Sequence, residues 1–226
     1  MHRLLPAVLI ALAAVAAPAA AEPRQVSGFT AVTVADRIEV EITTGEAFSV
    51  EVTGQDAGRI ITRLDGRTLR VRDRNRPWFG ETPDLDAHVR VTAPSLSALS
   101  ASRGAELRAA IGDDCRALDV AASMGGEAAI TISRCDAVSA SASMGGDVRL
   151  EGACDTLSAS ASMGGLVRAE GLRCATVNAS ASMGGDIEAY ASSASDASAS
   201  MGGAIAIAGN PRSNNNSTAL GGSVSN

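Results

Sequence analysis

The sequence predicts an all-β protein, a right-handed parallel β-solenoid of about seven coils that follows an irregular β-rich N-terminal region. The motif Ser-Met-Gly-Gly recurs every 18–20 residues, a period typical of stacked-repeat architectures. Apolar and polar residues alternate with a period of two inside each repeat, as they do along a β-strand. The chain is rich in Ala, Ser and Gly and only 2% aromatic, which favours a thin core between closely spaced strands.

The first predicted element is a signal peptide over residues 1–21. A short basic start precedes an apolar run at residues 4–17 and an Ala-x-Ala cleavage site at residues 19–21. The run is too short to span a bilayer comfortably, although an N-terminal membrane anchor is the alternative. We therefore expect an exported protein, periplasmic, cell-surface or secreted, that has no membrane span after signal cleavage.

Residues 22–94 are predicted to form a β-rich N-terminal capping region, because they lack the repeat but contain short alternating runs between turn signals. Asp65-Gly66 is a strong hairpin turn between two of these runs. A polar loop at residues 73–84 contains Trp78 and Phe79. We expect this region to cover the open edge of the solenoid, since an uncovered sheet edge invites aggregation.

The repeat β-solenoid is predicted over residues 95–226. The apolar residues from Val138 to Ala142 alternate with serines, so their side of the strand should face inward. Met144 has the same parity, and we expect it to fill a corner of the core. The glycine pairs should supply the positive φ of the tight corners. These turn glycines are Gly125, Gly126, Gly145, Gly146, Gly164, Gly165, Gly184, Gly185, Gly202 and Gly203.

The four cysteines should form one column, because each lies nine residues before a repeat methionine. Residues stacked on neighbouring coils lie about 4.8 Å apart, within the Cα range of a disulfide. Pairing Cys115 with Cys135 and Cys154 with Cys174 leaves no free thiol in an exported protein. A single Cys135–Cys154 bridge and four buried thiols are the alternatives. A straight column about 14 Å long cannot surround a zinc ion.

Charge and residue content exclude several classes of function. The 19 basic residues, all arginine, and 25 acidic residues give a net charge of −6, which argues against nucleic-acid binding. Only His88 remains after signal cleavage, so the many serines lack a catalytic base. We predict no catalytic residue, no metal site and no cofactor.

The positions after each corner read Glu127, Asp147, Leu166, Asp186 and Ala204. Because Leu166 and Ala204 interrupt the column of carboxylates, we predict a solvated rim and not a cation site or an acidic active site.

The outward rows of serine are the predicted binding face. They should form a flat surface covered by hydroxyl groups, with a surface, glycan or protein as the unidentified partner. The candidate residues are Ser141, Ser143, Ser160, Ser162, Ser180, Ser182, Ser198 and Ser200.

The chain resembles the bacterial family of auto-transporter adhesin head GIN domains. The resemblance lies in GFTAVTVADRIEVEITTGEAFSVEVTG at residues 28–54, VRVTAPSLSALSASRGAEL at 89–107 and AIAGNPRSNNNSTALGGSVSN at 206–226. Repeats of the family turn at Gly-Ser-Gly, whereas these turn at Ser-Met-Gly-Gly and keep glycine at the corner. The resemblance implies a pectin-lyase-like solenoid without conserved catalytic residues and a role in adhesion.

Two functions follow as hypotheses. The first is a non-catalytic exported β-solenoid that adheres to, or binds, a surface, glycan or protein. The alternative is a polysaccharide-active enzyme on a pectin-lyase-like scaffold. The enzyme needs a groove with clustered acidic and basic side chains and aromatic sugar platforms, yet Tyr190 is the only aromatic residue of the repeats. We therefore favour the first function.

Overall fold

The computed structural model describes residues 22–75 and 85–225, so the predicted signal peptide and the loop residues Trp78 and Phe79 lie outside the described residues. The described residues contain 17 strands, one short 3₁₀ helix and no α-helix. The strands are β1 (Glu22–Pro23), β2 (Ala31–Ala35), β3 (Glu39–Thr44), β4 (Ser49–Thr53), β5 (Ile60–Asp65), β6 (Thr68–Asp73), β7 (His88–Ala93), β8 (Ala98–Ser102), β9 (Glu106–Ile111), β10 (Cys115–Ser123), β11 (Glu127–Ser143), β12 (Asp147–Ser162), β13 (Leu166–Ser182), β14 (Asp186–Ser200), β15 (Ala204–Ala208), β16 (Ser213–Ala219) and β17 (Ser223–Ser225), and the 3₁₀ helix spans Ala57–Arg59.

Successive repeats stack in parallel, each on the one before. Strands β11 to β14 contain 15–17 residues each, because each joins the segment after one corner to the segment before the next. Each segment pairs with the equivalent segment of the neighbouring repeat. The predicted parallel β-solenoid is confirmed, with about six turns where seven coils were predicted.

The N-terminal region lies at one end of this stack, but its strands are not stacked in chain order. Strands β2 and β3 lie directly against β8 and β9 and continue the parallel solenoid. Strands β6 and β7 pair with the other sides of β2 and β3. Antiparallel strand β5 then ends one edge, and antiparallel strands β4 and β1 end the other. The sheet is therefore continuous across residue 94, where the sequence predicted the start of the solenoid.

The core lies between the two segments of each coil. Val138, Ala140 and Ala142 of the segment before the corner are each 2% exposed. Val148 and Leu150 of the segment after the corner are equally buried. Small alanine side chains on one sheet thus face larger aliphatic ones on the other, which keeps the core thin. The prediction of which side chains face the core is therefore correct within the strands.

The corners differ from the prediction in the position of methionine. Met144 has a φ of 50° and Gly145 a φ of 74°. The N–H of Gly146 donates to the carbonyl oxygen of Ser143 at 2.9 Å. These features are those of a type I′ turn, in which both central residues have positive φ. The Met144 side chain is 48% exposed, so the expectation that methionine fills the core was wrong.

The two glycines of a corner have different roles. The first, Gly145, has the positive φ, and an added Cβ would meet no atom within 4 Å. The second, Gly146, does not have positive φ, but an added Cβ would lie 2.3 Å from the carbonyl oxygen of Ala122 in the preceding coil. The prediction that both glycines supply positive φ is thus correct only for the first, while the second permits close approach of two coils.

The cysteines lie on the edge of the solenoid opposite the corners. Cys115, Cys135, Cys154 and Cys174 are consecutive partners in the strand register. Disulfides join Cys115 to Cys135 and Cys154 to Cys174, each with a Cα–Cα distance of 4.5 Å. Each bridge therefore ties one coil to the next, and none of the four thiols is free.

Candidate binding surfaces

The serine face is the outward side of the strand segments that precede the corners. Its central row consists of Ser141, Ser160, Ser180 and Ser198, which are exposed and lie in register on four successive coils. Ser143, Ser162, Ser182 and Ser200 are half-buried beside the corners. The structure thus brings all eight predicted residues onto one surface.

The geometry of the serine face is regular in two directions. Equivalent residues on neighbouring coils, which we call rungs, lie about 4.8 Å apart across the strands. Successive outward residues lie about 6.6 Å apart along each strand. In the part of the chain that the structure describes, the hydroxyl groups of Ser141, Ser160, Ser180 and Ser198 form no side-chain hydrogen bond with protein atoms. Each hydroxyl is both a donor and an acceptor, so this surface offers uncommitted partners to a ligand.

The opposite outward side is a charged face on which the side chains pair with one another. Arg108 contacts both Glu39 and Glu106. Arg90 Nε lies 3.2 Å from Glu41 Oε2. These pairs are exposed, so they contribute little to stability, but they use the charges that a ligand would otherwise contact.

The predicted carboxylate rim belongs to this charged face. Asp147 pairs with Arg168 on the neighbouring coil. Further along, a hydrogen bond with Glu170, burial and the negative charges of Glu170 and Asp186 raise the pKa of Glu188 above its usual value. The described residues contain no group of three or more His, Cys, Asp or Glu side chains arranged to hold a metal ion.

No pairing of a serine nucleophile with histidine is present among the described residues. His88 Nδ1 lies 2.9 Å from Glu39 Oε2 on the charged face, and its side chain is 63% exposed. The predicted serines lie on the other face. The described serines of the serine face therefore have no histidine beside them.

Two surface features were not anticipated from the sequence. The first is a shallow cleft at the cysteine edge, where Glu46, Asp113 and Asp114 lie beside Thr44 and Ser95. No periodic signal marks this cleft, because its residues come from three non-repeated segments. The second is the methionine row, which consists of Met124, Met144, Met163, Met183 and Met201 on the outside of successive corners. It was missed because strand parity predicted these side chains in the core.

No helix of the described ranges is long and apolar enough to cross a membrane.

Comparison with known proteins gives a family and a fold. Residues 28–211 match the family described as "Putative auto-transporter adhesin, head GIN domain". The structure is similar to that of a putative adhesin from Bacteroides fragilis NCTC 9343, with a TM-score of 0.81, 21% identity, and coverage of 92% of this chain and 96% of that one. No curated protein shows a significant match.

Two further solved structures share the fold. A putative lipid binding protein from Parabacteroides distasonis ATCC 8503 has a TM-score of 0.62 and 15% identity, with coverage of 92% of this chain and 96% of that one. A putative adhesin from Parabacteroides merdae ATCC 43184 has a TM-score of 0.60 and 15% identity, with coverage of 92% and 95%. At these identities the likeness concerns the fold alone.

Proposed function

Because the chain belongs to the "Putative auto-transporter adhesin, head GIN domain" family, we propose that it is a non-catalytic, exported β-solenoid protein that adheres to a surface, glycan or protein ligand. Export is supported by the signal-peptide pattern of residues 1–21 and by the two disulfides, which persist in oxidising compartments. The protein acts in the periplasm, on the cell surface or after secretion.

We propose the serine face as the binding surface. The observation that carries this proposal is the register of Ser141, Ser160, Ser180 and Ser198, which repeats the same uncommitted hydroxyl on four coils. A repeated, flat array suits a partner that is itself extended or repetitive, because each additional rung adds an equivalent contact. Many weak, equivalent contacts produce avidity without one deep pocket.

The chemistry of the serine face favours a neutral partner rich in hydroxyl groups. The row carries small side chains without charge, so a flat ligand approaches the strands closely and exchanges hydrogen bonds with each hydroxyl. The charged face is less suitable for such a partner because Arg108 and Arg168 are engaged by the carboxylates of Glu39 and Asp147. Among the ligand classes of the hypothesis, a neutral glycan fits the serine face best.

The test compares two double variants that place the same side chains on opposite faces. S141R/S180R puts bulky charges into the serine row. T131R/A206R puts arginines at exposed positions of the charged face, in register with Glu151 and Glu188. Binding to an array of neutral and charged glycans and to fixed cells is measured for both variants and for the unchanged protein.

We expect S141R/S180R to lower the apparent affinity about tenfold or more, since bulky charges hold a flat ligand away from several rungs. T131R/A206R should bind as the unchanged protein does. Equal loss in both variants, or loss only in T131R/A206R, would contradict the serine face as the binding surface. Absence of binding to every glycan and cell surface would contradict adhesion itself.

The alternative of a polysaccharide-active enzyme is tested on the same samples. The cleft that contains Glu46, Asp113 and Asp114 brings three carboxylates together, and it is lined by neither histidine nor arginine. Release of soluble sugar from any arrayed polysaccharide, abolished by D113N/D114N, would establish the enzyme in place of the adhesin.

A further inference from the structure

The described corners, from the one between β2 and β3 onward, present one side-chain position on each coil. At the first central position of the turn the chain has, in stacking order, Asp36, Arg103, the five residues of the methionine row and Leu220, and all of them have positive φ. The stacking is direct, because the N–H of Gly125 donates to the carbonyl oxygen of Met144 one coil away at 3.3 Å. The five methionines are 46–48% exposed.

Methionine is an unfavourable residue at this position for folding. The φ values of 47–51° lie in the left-handed region, which disfavours residues that have a Cβ. Type I′ turns prefer Asn, Asp or Gly here. Half-exposed side chains recover little from burial. A residue that departs from the local preference five times, with no gain in packing, is typical of a functional site.

Side chains at this position reach each other across one coil. Arg103 and Asp36, which have this position on the two coils before Met124, demonstrate the contact. Arg103 Nε donates a hydrogen bond to Asp36 Oδ1 at 2.8 Å between these neighbouring coils. The methionines repeat with the same rise of about 4.8 Å. Their unbranched side chains adapt easily, so the sulfur atoms of two successive rungs are able to meet at one point between them.

The chemistry of this arrangement suits a soft metal ion. Thioether sulfur is a soft ligand that selects ions such as Cu(I) over hard or borderline ones. Metal–sulfur bonds are about 2.3 Å long in zinc sites, so two sulfurs on opposite sides of an ion lie about 4.6 Å apart. That separation is close to the rise of one coil.

We propose that the methionine row binds soft monovalent metal ions, Cu(I) or Ag(I), between the sulfur atoms of successive coils. Five thioethers supply two separate pairs, so about two ions bind per chain when each is held by two sulfurs. No thiol competes for the metal, since all four cysteines are in disulfides. This function does not depend on adhesion.

The test titrates Ag(I) nitrate into the purified, disulfide-intact protein in chloride-free buffer. Ag(I) is the probe because it needs no reductant, which would open the disulfides. Isothermal calorimetry measures stoichiometry and affinity. Spectra of methyl-labelled methionine report the metal directly, since binding at sulfur shifts the adjacent methyl resonances. Zn²⁺ serves as the borderline-ion control.

The matched variant is M144L/M163L/M183L, which removes sulfur but keeps apolar side chains of similar size. Leucine is tolerated at this corner, because Leu220 has the same position with a φ of 48°. Circular dichroism checks that the variant is folded. The reverse variant, L220M, extends the row by one rung and should increase the amount of Ag(I) bound.

We expect Ag(I), but not Zn²⁺, to bind the unchanged protein and shift its methionine methyl resonances, and we expect the leucine variant to lose this binding. Retained Ag(I) binding in the folded leucine variant would overturn the proposal. So would unshifted methionine methyl resonances in the unchanged protein, a result that does not depend on the variant.

Discussion

The two glycines of a corner allow a sharp test of the solenoid, because the structure assigns them different physical roles. We compare Gly145→Ala with Gly146→Ala. The two residues are adjacent, and the change of one hydrogen for a methyl group is identical. Local sequence preference alone predicts the larger loss at the first glycine, which has the positive φ.

The magnitudes follow from the surroundings of each Cβ. At Gly145 the added Cβ meets no atom within 4 Å, so the cost is that of alanine in the left-handed region, about 1 kcal/mol. At Gly146 it lies 2.3 Å from the oxygen and 2.4 Å from the carbon of the Ala122 carbonyl. Ordinary van der Waals separation requires the two coils to move apart by about 1 Å, and such backbone displacement costs about 3 kcal/mol or more.

The neighbouring coils cannot yield easily. Gly126 accepts a hydrogen bond from the N–H of Asp147 at 3.0 Å, and Ser123 is paired with Ser143. Moving the two coils apart therefore weakens their pairing both before and after the corner. We expect the free energy of unfolding to fall about three times as far for Gly146→Ala as for Gly145→Ala.

Thermal and guanidinium unfolding followed by circular dichroism measure the difference. For a chain of this size 1 kcal/mol shifts the melting temperature by about 2–4 °C, so we expect a loss of about 2–4 °C for Gly145→Ala and about 6–12 °C for Gly146→Ala. Equal losses, or a larger loss for Gly145→Ala, would show that the coils do not approach each other closely at Gly146.

Two further predictions concern the disulfides and the ion pair between Arg59 and Asp73 in the N-terminal region. Peptide mapping without reductant should find the bridges Cys115–Cys135 and Cys154–Cys174, and a Cys135–Cys154 peptide would contradict this pairing. Reduction should lower the free energy of unfolding by about 3 kcal/mol per bridge without abolishing the fold, because each bridge closes a loop of 20 residues. Burial raises the pKa of Asp73, but hydrogen bonds from Arg59 and from the N–H of Asn75 outweigh burial and hold the pKa below its usual 3.8. The ion pair thus contributes stability above pH 3.8 that is lost as the pH falls through the lower, folded-state pKa. Arg59→Met should therefore lower the free energy of unfolding at pH 7 and lower it less at pH 3. A loss in urea unfolding that does not change with pH would contradict this role.

The parts of the fold that depend on local chemistry are predictable from the order of the residues. Alternation around Val138, Ala140 and Ala142 predicts which side of a strand is buried, because apolar side chains leave water wherever the strand lies. The constant offset of nine residues from each cysteine to the next repeat methionine predicts one column, because equivalent positions of stacked repeats lie in register. The serine face follows from the same parity as the opposite side of those strands.

The direction of the corner side chains and the order of the N-terminal strands depend on long-range contacts, so they are known from the structure and not from the sequence. The parity rule fails at Met144 because it assumes extended backbone, and a positive φ turns the side chain outward. The need for Gly146 arises from Ala122, a contact between coils that leaves no mark in the local sequence. The position of β6 and β7 outside β2 and β3 is likewise decided by sheet pairing over long separations, where chain order sets no constraint on stacking order.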